Sequence, residues 1–217
     1  MLTTPSKVSP RGAIARGWAE VSKDISQAVV ATGLTFFFAI LIGLLLQQVF
    51  PTITGVFIAI EIGLFRTGLT YFFIRRARGE AEYKDIFAGF TRFLRPAALA
   101  SAFIVGISFQ WLALMMANLW MTIGVIVLTV VVEAVYLFTP VVIAAGESAW
   151  WWGALDASKR ATLPRLNEYL LVVLALIALN AGGLLCAVVG LLVTVPVTIC
   201  VIIALFQDAR AAQPPAV

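Results

Sequence analysis

An all-α helix bundle threaded through a lipid bilayer is the fold class this sequence predicts, on three observations. Of 217 residues, 62% are hydrophobic and only 12% charged, about half the ~25% usual in soluble domains. The apolar residues fall in runs of membrane-crossing length. Once those runs are counted, the basic residues collect on one side of them.

Five apolar runs stand out: 28–50, 53–74, 97–119, 121–145 and 169–206. A bilayer core takes about 20 helical residues, so the last run is too long for one crossing. Its centre reads AGGLLCAVVGLLVTVP, residues 181–196, with glycines and a proline suited to a reversal. Split there, it gives crossings at 169–188 and 191–207, six in all. Residues 1–12 read as a loose tail without the apolar core and cleavage site of a secretory signal. Residues 13–208 form one six-helix domain, and 209–217 a second tail.

Charge placement tests the count. Lys7, Arg11, Arg16 and Lys23 precede the first crossing. Arg75, Arg76, Arg78, Lys84, Arg92 and Arg95 lie between the second and third. Lys159, Arg160 and Arg165 lie between the fourth and fifth, and Arg210 follows the sixth. Only Arg66, of the 15 basic residues, falls outside this set. The positive-inside bias makes that side cytoplasmic, with both termini in.

Each charged cytoplasmic stretch has the pattern of a helix lying in the headgroup region. Ile14, Trp18, Val21 and Ile25 recur at helical spacing in the first. Tyr83, Ile86, Phe87, Phe90 and Leu94 do so in the second, flanked by Arg92 and Arg95. In the third, Trp150, Trp151, Ala154 and Leu155 make the apolar side, in a run beginning with the triplet Trp150, Trp151 and Trp152. Ser148 is placed to cap this helix and Pro164 to end it. Aromatic and basic residues at this depth suit either an interface belt or a docking surface for a partner. The plan of short helix, crossing, crossing recurs three times, with EVSKDI at 20–25 echoed by EYKDI at 82–86. TYFFIRRARGE at 70–80 is echoed by TPVVIAAGE at 139–147.

Polar residues inside the crossings are the candidate site. Glu61 and Arg66 are five apart on one helix, about 140° around its axis, and so poor partners for each other. Counted from the outer end at 1.5 Å per residue, Arg66 and Glu133 lie within one turn in depth. That leaves an Arg66–Glu133 pair between two helices open. An unpaired charge at the bilayer centre costs at least ~2.5–3.5 kcal/mol. Staying protonated is the other escape for Glu61. Gln110 and Asn180 complete the polar set. Inter-helix glue, a proton or solute path through Glu61 and Glu133, and docking of a partner's helix all remain open. Pro140 and Pro196 are candidate kinks.

Much chemistry is absent from the sequence. There is no histidine, which removes His-based triads and most zinc sites. Cys186 and Cys200 sit in apolar runs and read as packing residues rather than a disulfide. No nucleotide-binding loop or nucleophile elbow is present, Ser108 has no visible base, and no basic stripe suits nucleic acid. An enzyme, a metal and a cofactor are therefore not expected.

The stretches RARGEAEYKDIFAGF, ALDASKR and GLLVTVPVTICVIIALFQDAR resemble a broad bacterial family of uncharacterised six-helix inner-membrane proteins. The matching residues are Arg78, Gly79 and Glu80, then Phe87, Gly89 and Phe90, then Ser158 and Lys159. Gly190, Leu191 and Pro196 match at the opening of the last crossing. The resemblance covers residues 14 to 210 and implies a fold and a compartment, with no activity attached. The expected function is a non-catalytic structural or accessory subunit that packs with other membrane proteins or itself. The alternative is a permease-type transport subunit, proton-coupled or driven by a separate ATPase through the interfacial helices.

Overall fold

The computed structural model describes residues 9–49, 54–115 and 119–212, and those residues are helical with no strand. The long helices are α2 (Ile25–Val49), α3 (Thr54–Arg76), α5 (Leu94–Met115), α6 (Leu119–Val135), α9 (Leu166–Leu185) and α10 (Ala187–Ala211). Shorter ones are α1 (Pro10–Ser22), α4 (Ala88–Thr91), α7 (Thr139–Ala144) and α8 (Trp151–Thr162). Two 3-10 turns, Tyr83–Phe87 and Leu163–Arg165, lead into α4 and α9.

Four stretches are long and apolar enough to cross a membrane: Ile25–Val49, Ile123–Ala144, Trp151–Leu185 and Val189–Ala211. α3 has the length, at 23 residues, but carries Glu61, Arg66, Arg75 and Arg76. In α5 the described side chains end at Ile104, and Leu94–Ile104 is apolar. The reversal expected at 189–190 comes earlier, at Cys186 between α9 and α10. Pro196 lies inside α10 without interrupting it, whereas Pro140 stands just after a break.

Local chemistry sets these ends. Pro10 occupies the first turn of α1, where its missing N–H costs nothing, and Ser9 Oγ accepts from Gly12 N at 3.5 Å. Helix formation thus reaches into the stretch expected as a tail. Asp24 opens α2 by accepting from Gln27 N at 3.0 Å and from the Ser26 hydroxyl. The Gln27 N–H and then the Ser26 hydroxyl hold its carboxyl below the ordinary carboxylate range. Arg76 reaches back to α1 and donates to the carbonyls of Val21 (3.4 Å) and Asp24 (2.7 Å).

α3 and α7 end in the same way. Gly79 and Gly146 both have a left-handed backbone, φ 75° and 72°. Each donates its N–H three residues back, to Arg76 O and Ile143 O. The glutamate that follows donates five back, Glu80 to Arg75 O and Glu147 to Val142 O. That is a Schellman-type cap, which glycine adopts without a Cβ penalty. The sequence echo between 70–80 and 139–147 therefore carries the same stop geometry.

Packing is cyclic. Three hairpins, α2–α3, α5–α6 and α9–α10, each pack internally, and each also packs on the next: α3 on α5, α6 on α9, and α10 back on α2. The second helices of the hairpins converge, with α3, α7 and α10 in mutual contact. Phe72, Phe138, Ile143, Val201 and Leu205 are fully buried there. The short helices obey the same rotation. α1 docks on α10, the 83–91 segment on α3, and α8 on α7.

Lipid tails are as apolar as leucine, so close van der Waals fit and hydrogen bonds must hold such helices together. The 83–91 segment shows how close the fit is. A Cβ on Gly68 would overlap the Ile86 carbonyl oxygen, and one on Gly89 would overlap the Leu64 carbonyl oxygen. Sequence periodicity predicts one amphipathic helix here. The chain instead forms a 3-10 turn and a four-residue helix pressed against α3. Gly17 similarly brings α1 onto Val197 and Val201 of α10. The buried face of α1 is Ala13, Gly17 and Val21, so of the expected stripe only Val21 points fully inward.

Candidate functional site

Arg66 of α3 and Glu133 of α6 meet. α3 and α6 belong to neighbouring hairpins, and each residue stands at the same sequence distance before the glycine cap of its repeat. Arg66 Nη1 donates to Glu133 Oε2 at 3.1 Å. Their side chains remain 33% and 39% exposed, because the pair forms a wall shared by two cavities.

The larger cavity has a volume of about 470 Å³, within the ~300–1,000 Å³ range of small-molecule sites. It is an open groove running from the ion pair along α9 and α10 to Leu184 and Leu191 beside the α9–α10 turn, with Ile177, Ala181 and Leu184 of its lining exposed. Asn180 and Thr198 add polarity to walls that are otherwise aliphatic and alanine. Asn180 Nδ2 donates to Thr198 Oγ1 and to Leu176 O, each at 2.9 Å, and Thr198 Oγ1 donates in turn to Thr194 O at 2.9 Å. Asn180 Oδ1 is buried without a hydrogen-bond partner. The smaller cavity, about 90 Å³, lies among α3, α5, α6 and α7, lined by Thr67, Ser101 and Tyr136 among others.

The ion pair uses one guanidinium nitrogen and one carboxylate oxygen. A guanidinium carries five N–H donors and a carboxylate about four acceptor positions. Both groups therefore keep capacity directed at cavity space. Below the pair, α7 closes the bundle with Thr139, Val141, Val142, Ile143 and Ala144 all buried.

The break above α7 is stitched by α8. α6 stops at Val135, ahead of Pro140, which has no N–H to give to the ladder. The orphaned Val135 carbonyl accepts from Ser158 Oγ at 3.1 Å and from Thr162 Oγ1 at 2.8 Å. The Phe138 N–H donates to Ser158 Oγ at 3.1 Å. Ser158 and Thr162 are fully buried. Sequence reasoning has Ser158 only as part of a resemblance. Its signal is a small hydroxyl on the inner face of an amphipathic helix, opposite a proline break.

The other sequence-derived residues are scattered. Glu61 does not join the Arg66–Glu133 pair. It is 4% exposed and packs toward α2, where a Cβ on Gly43 would lie 3.8 Å from its Oε2, and its Oε1 has no hydrogen-bond partner. Gln110 lies on α5, and its side chain is outside the described residues. Phe87 and Phe90, expected at a lipid or partner interface, are half-buried against Phe38 (4.9 Å) and Phe65 (4.7 Å). The glycine contact at Gly68 and Gly89 is what draws them in. Arg92 is exposed and donates to Tyr71 Oη at 2.9 Å, and Arg95 is exposed. Trp18, Trp150 and Trp152 are exposed at 47%, 67% and 54%. Trp151 is half-buried against Phe103. Ser148 bonds Trp150 rather than capping α8 directly.

Cys186 is exposed at the α9–α10 turn and Cys200 is buried, both as free thiols. Among the described residues no cluster of His, Cys, Asp or Glu has the grouping to hold a metal. The chain matches no protein-family model, no curated protein and no solved structure. The geometry defines a class only: an all-helical protein whose apolar helices suit a membrane, with a charged pair at the end of an open groove.

Proposed function

We propose that this protein is a non-catalytic, permease-type component of a bacterial inner membrane, in which the groove ending on the ion pair receives a small solute. One observation carries the reading: the 470 Å³ cavity ends on the Arg66–Glu133 pair. A flank built only to face lipid would not end a groove on two charges, since intramembrane charge is costly. In this reading all six long helices cross the bilayer, with α3 tolerated because Arg66 is paired. The basic end carrying α1, the 83–91 segment and α8 faces the cytoplasm. Exposed Trp18, Trp150 and Trp152 then sit at the headgroup level. The resemblance to six-helix inner-membrane proteins supports the same arrangement.

The proton-carrier version loses support for Glu61, which lines neither cavity. Coupling to an ATPase through Phe87 and Phe90 also loses support, since both rings are committed to α2 and α3. The accessory-subunit reading keeps one supporting observation. α2 is the least buried of the four apolar stretches, and exposes Phe37, Ile40, Leu41, Leu44 and Leu45. Lipid or a partner helix would cover that flank.

The test is solvent access. With Cys186 and Cys200 replaced by serine, Ala181→Cys puts one thiol in the cavity wall. A membrane-impermeant maleimide added outside sealed cells should label it. Absence of labelling in folded protein would reject the solute-cavity reading in favour of the packing one.

A further inference from the structure

Resting on that reading, we infer that the cavity takes a zwitterion with an aliphatic tail. The ligand's anionic group sits on Arg66, its ammonium on Glu133, and its tail along α9 and α10.

Charge sets the ligand class. Arg66 and Glu133 neutralise each other across the cavity wall. An anion taking Arg66 for itself strands Glu133, and a cation taking Glu133 strands Arg66. Either outcome leaves an uncompensated charge at the depth of the crossings, which is costly in lipid. A zwitterion avoids both. It opens the pair, supplies each partner with an opposite charge, and leaves the site neutral. The single 3.1 Å bond and the partial exposure of both side chains leave the atoms that such a ligand would engage facing the cavity.

The walls specify the rest. Leu137, Val173, Leu176, Ile177, Leu191 and Ile202 are aliphatic, and no described aromatic ring or further charge lines this cavity. From Val173 to Leu184 the lining follows α9 for about 16 Å at 1.5 Å per residue. An unbranched chain lies along such a slot, with its head at the ion pair. Two sources supply this chemistry: a free aliphatic amino acid and a zwitterionic lipid with ammonium and phosphate in its headgroup.

The experiment uses the wild-type chain in phosphatidylglycerol nanodiscs, titrated calorimetrically with 2-aminohexanoate, 2-aminooctanoate and 2-aminodecanoate. Binding should tighten about fourfold per added methylene, the effect of burying one CH₂. Octanoate and octylamine should bind at least tenfold more weakly than 2-aminooctanoate. Arg66→Gln and Glu133→Gln should each lose tenfold or more. Ala181→Phe, which fills the slot without touching the ion pair, should do the same should the charge variants not fold. Nanodiscs of mixed phosphatidylethanolamine and phosphatidylglycerol separate the sources. Selective co-purification of phosphatidylethanolamine, blocking 2-aminooctanoate, assigns the site to lipid and supports the inference equally. Equal binding of octanoate or octylamine overturns it. So does absence of 2-aminooctanoate binding in phosphatidylglycerol with no phosphatidylethanolamine retained. Labelling of Ala181→Cys is a separate readout, so the ligand class can fall while the solute cavity stands.

Discussion

Replacing Ser158 by alanine removes one buried oxygen that serves two backbone groups. Ser158 Oγ donates to Val135 O and accepts from Phe138 N, both at 3.1 Å, with no solvent reaching it. In Ser158→Ala, the Val135 carbonyl still has Thr162 Oγ1 at 2.8 Å. The Phe138 N–H has nothing. An orphaned buried donor costs about 1–3 kcal/mol, so that is the expected loss. Thr162→Val alone leaves Val135 O bonded to Ser158 and should cost only ~0.5–1 kcal/mol, near the membrane average for such bonds. The double variant orphans the carbonyl as well. It should therefore exceed the sum of the single losses by about 1 kcal/mol or more, a coupling expected of two donors on one acceptor. Equilibrium unfolding in bicelles measures all three against wild type. A Ser158→Ala loss under about 0.5 kcal/mol, or strict additivity in the double variant, would refute the stitching of the broken helix by α8.

Three further outcomes follow from the same geometry. Gly79→Ala and Gly146→Ala force a side chain into the left-handed region with no neighbour within 4 Å to clash. Each should cost about 1–2 kcal/mol in the same unfolding assay, and unequal costs would deny the shared cap. Gly89→Ala drives a methyl into the Leu64 carbonyl and should cost at least ~1–3 kcal/mol, as overpacking does. It should also raise hydrogen exchange over 83–91, while a neutral result would reject the wedge against α3. In native protein a thiol reagent should modify exposed Cys186 quickly and buried Cys200 only on unfolding, as mass spectrometry would show.

The sequence is informative where one helix suffices and weaker where two must meet. Hydropathy and length identify the apolar helices, since both are properties of a single segment. The depth match between Arg66 and Glu133 is readable because their two helices run the same way and depth is residue count times rise. The direction each side chain takes around its axis is not readable without the neighbours, so Glu61 joins the set as a charge inside a crossing and leaves it by facing α2. The 83–91 segment misleads for a related reason. Its apolar residues have helical spacing, yet Gly68 and Gly89 permit a carbonyl-to-glycine approach that a regular helix would not make. The cavity has no linear signature at all, because it is bounded by α3, α6, α9 and α10.

The rotation of the three hairpins has a consequence for how the chain can be cut. α1 docks on α10 as the 83–91 segment docks on α3, and Arg16 meets Asp208 at 2.6 Å. A ring whose last member grips its first has no privileged starting point. Opening the polypeptide at Gly79 or Gly146 and bridging residue 212 to residue 9 with a flexible linker would keep every inter-hairpin seam. Such permuted chains should assemble into the same barrel of helices, each beginning with a different third of the protein.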